Sequence, residues 1–493
     1  MTDASQPTEA ARPEARAPRG FIDRRARDLG VEREILAKVS AVYERYGFEA
    51  QDTGALEYAD ALGKFLPDAD RPNEGVFALQ DDDEQWMALR YDLTAPLARF
   101  VAQNWDGLPK PFRRYAFGTV WRNEKPGPGR YREFTQCDAD TVGSARPEAD
   151  AEIIAMAAEG LEAAGLPFGG YVVKINNRKL LNGLLATAGV ATEGQKLAVL
   201  RAVDKLDRLG PEGVRLLLGE GRKDESGAFT KGAGLNAKAA LAVLEFTAAG
   251  VGDRAGTLDR IANVIGGSVE GDEGLAELSR IDAALNSMGI GPDRAMFDPS
   301  VVRGLEYYTG AVFEAELLLQ TLDEKGEALR FGSVGGGGRY DDLVARFTGE
   351  PVPATGFSFG VSRLASALRA SGRADAARAR GPVVVIAFNQ DDMPAYFQLV
   401  GELRAAGIAA EVYLGSSGMR PQMKYADRRL SPAAVILGGD EIAAGTVTVK
   451  DLDLGRELSG EVSDNAAWRA ERPGQQTIPR AELIPALRRI LEG

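Results

Sequence analysis

Residues 112–143 read FRRYAFGTVWRNEKPGPGRYREFTQCDADTVG, and this stretch limits the possible folds more than any other. Two runs, Arg114–Arg122 and Glu133–Thr141, carry aromatic and β-branched residues and flank a Gly/Pro-rich centre at Lys125–Gly129. The pattern predicts two antiparallel strands joined by a long loop. Five arginines, Arg113, Arg114, Arg122, Arg130 and Arg132, fall in or beside this hairpin. If two or more of their planar guanidinium forks meet at one spot, they form a bidentate clamp for a polyphosphate. A solvated hairpin with Arg122 and Glu124 as a surface ion pair, contributing about 0–1 kcal/mol, fits the same residues. The hairpin alone leaves both readings open.

Four further stretches place polar residues at turns or strand–helix junctions. Residues 86–103, WMALRYDLTAPLARFVAQ, predict a strand entering a helix, with Asp92 or Thr94 suited to the helix cap, worth about 1 kcal/mol. Residues 301–316, VVRGLEYYTGAVFEAE, alternate like a strand pair around a Gly-marked turn. The run Gly335–Gly338 precedes Arg339, Tyr340 and Asp341. No helix follows it directly to cradle a phosphate, so its expected use is close approach of bare backbone to a ligand. Residues 354–370, ATGFSFGVSRLASALRA, predict a small-residue strand running into a helix that carries Arg363. Each stretch by itself also has an ordinary structural explanation, such as a solvated arginine or a pair of core tyrosines.

In this order the stretches resemble a known family. Phe112-Arg113-Arg114, then Arg122-x-Glu124, a loop, and Gly129-Arg130-x-Arg132-Glu133-Phe134-x-Gln136, with Asp140 four positions on, resemble motif 2 of class II aminoacyl-tRNA synthetases. The segments Val302–Gly310 and Gly335–Asp341 resemble stretches peculiar to histidyl-tRNA synthetases, and residues 354–370 resemble class II motif 3. A helix-then-strand pattern over residues 21–50 resembles motif 1, the family's dimer interface, although the usual proline falls at Gly54. The resemblance runs from about Gly20 to about Asp464. It departs from many bacterial members at the QCDAD ending of motif 2.

The resemblance implies an α+β fold: a class II core with an antiparallel sheet flanked by helices, a helical insertion, and a C-terminal α/β anticodon-binding domain. It implies ATP, entering as its magnesium complex, L-histidine and tRNA(His) as substrates, and a homodimer. No protein-bound metal or organic cofactor and no editing domain are implied. Arg122 and Arg303 take the catalytic roles at the α-phosphate. Arg122, Glu124, Arg130, Phe134 and Arg363 bind ATP. Asp92, Thr94, Gln136, Asp140, Arg303, Tyr307, Tyr308 and Tyr340 bind histidine, with Asp140 and Tyr308 meeting the two ring nitrogens. Two other readings are a catalytically inactive, synthetase-like regulatory subunit of histidine biosynthesis and a class II synthetase for another amino acid. Retention of the C-terminal domain and the arginines disfavours the first; the RGLEYYTG and GGGGRYDD stretches disfavour the second.

Composition sets the outer limits. At 493 residues the chain exceeds what one hydrophobic core normally organises. Its single cysteine, Cys137, cannot form an internal disulfide, and the N-terminus lacks the apolar stretch of a secretory signal, so the cytoplasm is expected. No apolar run approaches the roughly 18 residues of a membrane span. A net charge of −13 argues against general affinity for DNA, while local basic clusters such as Arg24–Arg27, Arg113–Arg114 and Lys424–Arg429 are compatible with selective tRNA contact.

The domains expected along the chain are a disordered tail (1–19), the first part of the catalytic core (20–169), the helical insertion (170–296) and the second part of the core (297–370). A linker (371–382), the anticodon-binding domain (383–464) and a C-terminal extension (465–493) follow. Beyond the linker the expected order is strand 383–388, helix 391–406, strand 408–414, helix 419–430, strand 433–437, and strands near 445–450 and 456–460.

The chain contains no histidine. Imidazole bases, His-ligated metals and phosphohistidine chemistry are therefore excluded, leaving catalysis by positioning and charge. Where relatives often show histidine, this chain has Asn123, Thr135 and Asn177. Two explanations stand: drift, or an enzyme of histidyl-tRNA synthesis freed from needing its own substrate. The second predicts that restoring histidine at these three positions lowers accumulation of the protein under histidine starvation; equal accumulation of the two forms, measured by immunoblot, rejects it.

Overall fold

The computed structural model describes residues 14–65, 75–126, 131–190, 192–223, 227–250, 252–265, 267–302, 304, 308–319, 321–322, 328–329, 331–373, 380–459 and 474–492. Arg130, Arg303 and Tyr307, most of the expected tail and the first part of the expected C-terminal extension lie outside the described residues. The chain divides into two compact units, Met1–Ala374 and Asp375–Gly493.

The first unit is built on an eight-stranded sheet. Its order is Glu49–Ala50, Phe112–Trp121, Glu133–Val142, Ala354–Gly360, Ser333–Arg339, Ala311–Leu317, Tyr171–Asn177 and Ala295–Phe297. The six inner strands run antiparallel, and a short parallel strand closes each edge. The expected hairpin is present, with Phe112 opposite Val142 and Trp121 opposite Glu133. Among the described residues of 301–316 there is the strand Ala311–Leu317, and most of the stretch expected to pair with it, residues 303 and 305–307, lies outside them.

Helix Pro147–Ala163 covers this sheet. Proline in its first turn is preset for helical φ, and Glu148 and Asp150 complement the N-terminal dipole. Its alanines and isoleucines, among them Ala151, Ile153, Ile154, Ala155 and Ala158, are completely buried and share a core with Val173, Phe313 and Phe359 of the sheet. Helix Ala26–Arg45 adds Ile35, Val39 and Tyr43 to the same core. Arg339, at the end of the glycine-rich strand, donates to the Asp150 carboxylate from Nη2 at 2.6 Å and to the carbonyls of Ser144 and Arg146. This pair ties the covering helix to the sheet.

The helical insertion occupies less of the chain than expected, because Tyr171–Asn177 and Ala295–Phe297 belong to the main sheet. Between them, among the described residues, lie six helices, from Arg178–Thr187 to Val269–Ser287, with a break at Gly210, where φ is +65°. A two-stranded hairpin, Gly221–Lys223 with Phe229–Lys231, interrupts them and was not anticipated from the helical spacing. Buried Arg254 donates to the carbonyls of Ala295 (2.7 Å) and Ile290 (3.0 Å), fastening the insertion to the strand by which the chain re-enters the sheet. Asn177, a position where histidine was expected in relatives, caps helix Arg178–Thr187 by accepting from Lys179 N at 3.0 Å.

The second unit has a five-stranded sheet in the order Ala410–Val412, Val383–Ile386, Ala433–Ile436, Thr446–Asp451, Gln475–Pro479. The first three strands are parallel and the last two antiparallel. The strand expected near 456–460 is instead part of helix Leu452–Ser459. Asp451 Oδ1 accepts from Leu454 N at 2.9 Å, which starts a helix where the alternating sequence reads as a strand. Residues expected to form an extension complete the domain: Gln475–Pro479 pairs with Thr446–Lys450, and Leu483 and Leu487 of the last helix enter its core.

Asp150→Ala leaves the buried Arg339 guanidinium without its carboxylate and should destabilise the first unit by about 3–5 kcal/mol, read as a lowered urea midpoint.

Candidate active site

Four neighbouring strands of the main sheet form one wall of a cavity of about 750 Å³, within the usual range of roughly 300–1,000 Å³ for small-molecule sites. Glu133–Val142 contributes Phe134, Gln136 and Asp138; Ala354–Gly360 contributes Ser358; Ser333–Arg339 contributes its glycines; Ala311–Leu317 contributes Phe313. The segment before helix Thr94–Asn104 adds Tyr91 and Asp92, the hairpin loop adds Arg122, Glu124 and Tyr131, and helix Val361–Ala370 adds Ser362 and Arg363. Thr94, Gly304 and Tyr308 complete the residues named here.

Among the described residues, two guanidinium groups (Arg122, Arg363) and three carboxylates (Asp92, Glu124, Asp138) therefore share one cavity. Arg122 Nε donates to the Tyr91 carbonyl at 3.1 Å, and its guanidinium carbon lies 5.2 Å from the Phe134 ring centroid and 5.7 Å from that of Tyr91. The backbone bond and the two rings limit its rotamers, so the fork is presented in one orientation. Asp92 serves two ends: Oδ1 accepts from Thr94 N and Ala95 N, capping the helix, while the residue lines the cavity. Burial, followed by the neighbouring Asp92 carboxylate, pushes the Tyr91 phenol well above its usual range, which keeps it a neutral donor.

The glycine strand is explained partly by packing. A Cβ on Gly337 would lie 2.1 Å from the Gly356 carbonyl and 2.6 Å from the Phe313 ring, whereas one on Gly336 would meet nothing closer than 3.6 Å. Gly337 lets adjacent strands close up; Gly336 leaves the cavity wall bare.

Cross-strand register decides which polar residues reach the cavity. Gln136, Asp138 and Asp140 project from the same face of one strand. Asp140 stands opposite Arg114 on one side and Gly356 on the other, while Asp138 stands between Ala116 and Ser358. Arg114, completely buried, has Nη2 2.8 Å from Asp140 Oδ2 and also donates to the Leu93 carbonyl. Tyr340 donates its hydroxyl to Asp140 Oδ1.

Of the residues expected at the site, Asp92, Thr94, Arg122, Glu124, Phe134, Gln136, Tyr308 and Arg363 line this cavity. Asp140 and Tyr340 do not: they bond each other away from the lining, held by Arg114. Nor do Arg113 and Arg114 belong to a phosphate clamp or a free basic patch, because Arg113 pairs with Glu152 and packs on Phe48. Arg132 donates to the Glu124 carbonyl and steadies the hairpin loop. Asp138, Ser358, Tyr91, Tyr131, Phe313 and Ser362 line the cavity without having been singled out from the sequence. The period-2 alternation of the second hairpin strand was the available signal for Asp138.

The family profile described as histidyl-tRNA synthetase matches residues 20–364, and that of an anticodon binding domain matches residues 382–489. A histidine–tRNA ligase of Caulobacter vibrioides is 77% identical over 493 residues, covering 100% of both chains. One from Brucella suis is 55% identical over 98% of this chain and 97% of its own. The crystal structure of histidyl-tRNA synthetase from Nostoc superposes with a TM-score of 0.74 at 28% identity, covering 97% of this chain and 100% of that one. With both halves of the interrupted sheet inside one matched profile, and relatives this similar along their whole length, the chain belongs to the histidyl-tRNA synthetase family.

Proposed function

We propose that the protein is a histidine–tRNA ligase, which condenses L-histidine with ATP to histidyl-adenylate and transfers the histidyl group to the terminal ribose of tRNA(His). The observation that carries this reading is the single cavity in which Arg122, from the hairpin, and Arg363, from the helix after the last core strand, meet Asp92, Thr94, Gln136 and Tyr308. Phosphate-binding forks beside acceptors for an ammonium group suit a nucleotide and an amino acid held side by side.

In the adenylation step a carboxylate oxygen of histidine attacks the α-phosphorus in line. The bond from that phosphorus to the bridging oxygen breaks, and pyrophosphate leaves with its magnesium. The nucleophile is already an anion, so the protein need supply no base, in keeping with a chain that has no imidazole. Arg122 and Arg303 neutralise charge building on the α-phosphate, Arg130 and Arg363 hold the β/γ end, and Phe134 lies against the adenine with Glu124 near its edge. Asp92, Thr94 and Gln136 take the α-ammonium, and Tyr308, with Tyr307 beside it in the chain, faces the imidazole side. The C-terminal unit, matched by the anticodon-binding profile, reads the distant end of the tRNA. The protein works in the cytoplasm as a homodimer; among the described residues no helix is long and apolar enough to cross a membrane.

The deciding assay is exchange of pyrophosphate into ATP across the twenty amino acids, with histidine alone expected to support it. Arg122→Ala and Arg303→Ala should each lower kcat/KM of histidine-dependent exchange roughly 10²–10³-fold, the usual loss when one donor to a developing oxyanion is removed. A near-normal rate in either variant rejects that residue's assignment.

A further inference from the structure

The segment before the first helix is bonded to both carriers of the nucleotide site, the hairpin and the helix of Arg363. Arg132, on the return of the hairpin loop, donates its backbone N–H to the Gly20 carbonyl at 2.9 Å and its Nε to the Glu124 carbonyl at 3.0 Å. Gly20 has φ +85°, and a Cβ there would lie 2.9 Å from the Arg132 side chain and 3.3 Å from Pro126. Only glycine lets the two segments touch in this way. Phe21 then packs against Phe77 with ring centroids 5.7 Å apart.

Further along, Arg24 enters a knot of polar groups. Its Nη1 pairs with Glu32 Oε2 at 2.6 Å and donates to the hydroxyls of Ser362 at 3.4 Å and Thr135 at 3.5 Å. Ser362 Oγ also accepts from Thr135 N at 3.1 Å, and the Thr135 hydroxyl donates to Glu32 Oε2 at 3.4 Å. The side chains of Arg24 and Glu32 are 19% and 8% exposed, and neither lines the cavity. Arg24 belongs to the Arg24–Arg27 cluster that the sequence offers to tRNA, yet it is spent on these inward bonds.

Two members of the knot are chain neighbours of groups assigned to ATP. Thr135 follows Phe134, and because side chains alternate along a strand, Phe134 faces the cavity while Thr135 meets the helices behind it. Ser362 precedes Arg363 in the first turn of helix Val361–Ala370. The far end of that helix is held as well, with Arg369 Nη1 3.1 Å from Asp28 Oδ1. A largely buried ion pair adds little net stability, but it can fix the placement of what surrounds it.

We propose that Arg24, locked by Glu32, is a positioning residue for ATP: it sets the start of the Arg363 helix against the hairpin strand that carries Phe134. The adenine contact and the terminal-phosphate arginine then stand at the spacing the nucleotide needs. The assignment rests on the functional reading above. The histidine side is held separately, since Asp92 caps its own helix and Gln136 Nε2 donates to the Ser358 hydroxyl at 2.8 Å. Loss of the knot is therefore felt by ATP and not by histidine.

The test uses the full-length protein in histidine-dependent pyrophosphate exchange, with calorimetric binding of a non-hydrolysable ATP analogue alongside. Arg24→Ala should lower kcat/KM for ATP roughly 10- to 100-fold, chiefly through KM, the scale expected when a binding group is slightly misplaced. The histidine KM should keep its original value. The bonds from Arg24 to Glu32, Ser362 and Thr135 all leave from one nitrogen, so Arg24→Lys, whose ammonium carries three donors on one atom, should recover most of the ATP affinity. Arg24→Met combined with Glu32→Gln removes both charges at similar side-chain volume; it should melt close to the parent and still bind the analogue roughly 10-fold more weakly. Either an unchanged ATP KM in Arg24→Ala or an unchanged analogue affinity in the double variant overturns the proposal, as do equal losses for ATP and histidine, or no recovery with Arg24→Lys. If the unaltered protein binds the analogue yet supports no histidine-dependent exchange, the functional reading fails, while weaker analogue binding by the double variant still upholds the role of Arg24.

Discussion

The Arg114–Asp140 pair lies fully inside the antiparallel sheet, at a point where the two hairpin strands face each other in register. Burying two charges is expensive, and their mutual attraction offsets that cost only when both partners are fixed. The pair is therefore weak as a source of stability and strong as a constraint. It requires the hairpin to hold one register, since a slip of one residue would send every side chain of the strand to the opposite face. With that register set, Gln136 and Asp138 face the cavity and Ser358 comes opposite Asp138.

The site is assembled from segments far apart in the chain, and the antiparallel sheet brings them together. The hairpin supplies Arg122 and Phe134, the re-entrant strands supply Phe313 and the glycines, and the strand-to-helix junction supplies Arg363. The helical insertion leaves the sheet after Asn177 and returns by the strand Ala295–Phe297, beside the strand from which it departed. Arg254 fixes that return through backbone carbonyls. Such an arrangement lets a large insertion interrupt the catalytic core without disturbing the order of the strands that carry the chemistry.

Much of this could be read in the sequence where local chemistry and tertiary context agree. The hairpin, the strand before Arg363 and the alternation of the C-terminal unit follow from β-forming runs and turn residues. Reading failed where one contact overrode a local pattern. A strand is expected near 456–460, but the Asp451 carboxylate caps a helix that runs from Leu452 to Ser459. Gln475–Pro479 is polar, and it is a strand because Thr446–Lys450 offers it an open edge. Restoring histidine to Asn177 would have to reproduce a helix cap and a bond to Glu277, which explains how an amide serves at that position.

By itself, the sequence determined the class of chemistry: no imidazole, and a spacing of arginines, glycines, tyrosines and acidic residues found in one enzyme family. It also placed Gln136, Asp138 and Asp140 on a common strand face, because side chains alternate with a period of two. Only the tertiary structure decided which of the two aspartates faces the cavity. That choice depends on what stands opposite each one, and Arg114 and Ser358 are brought there by strand pairing, not by their positions along the chain.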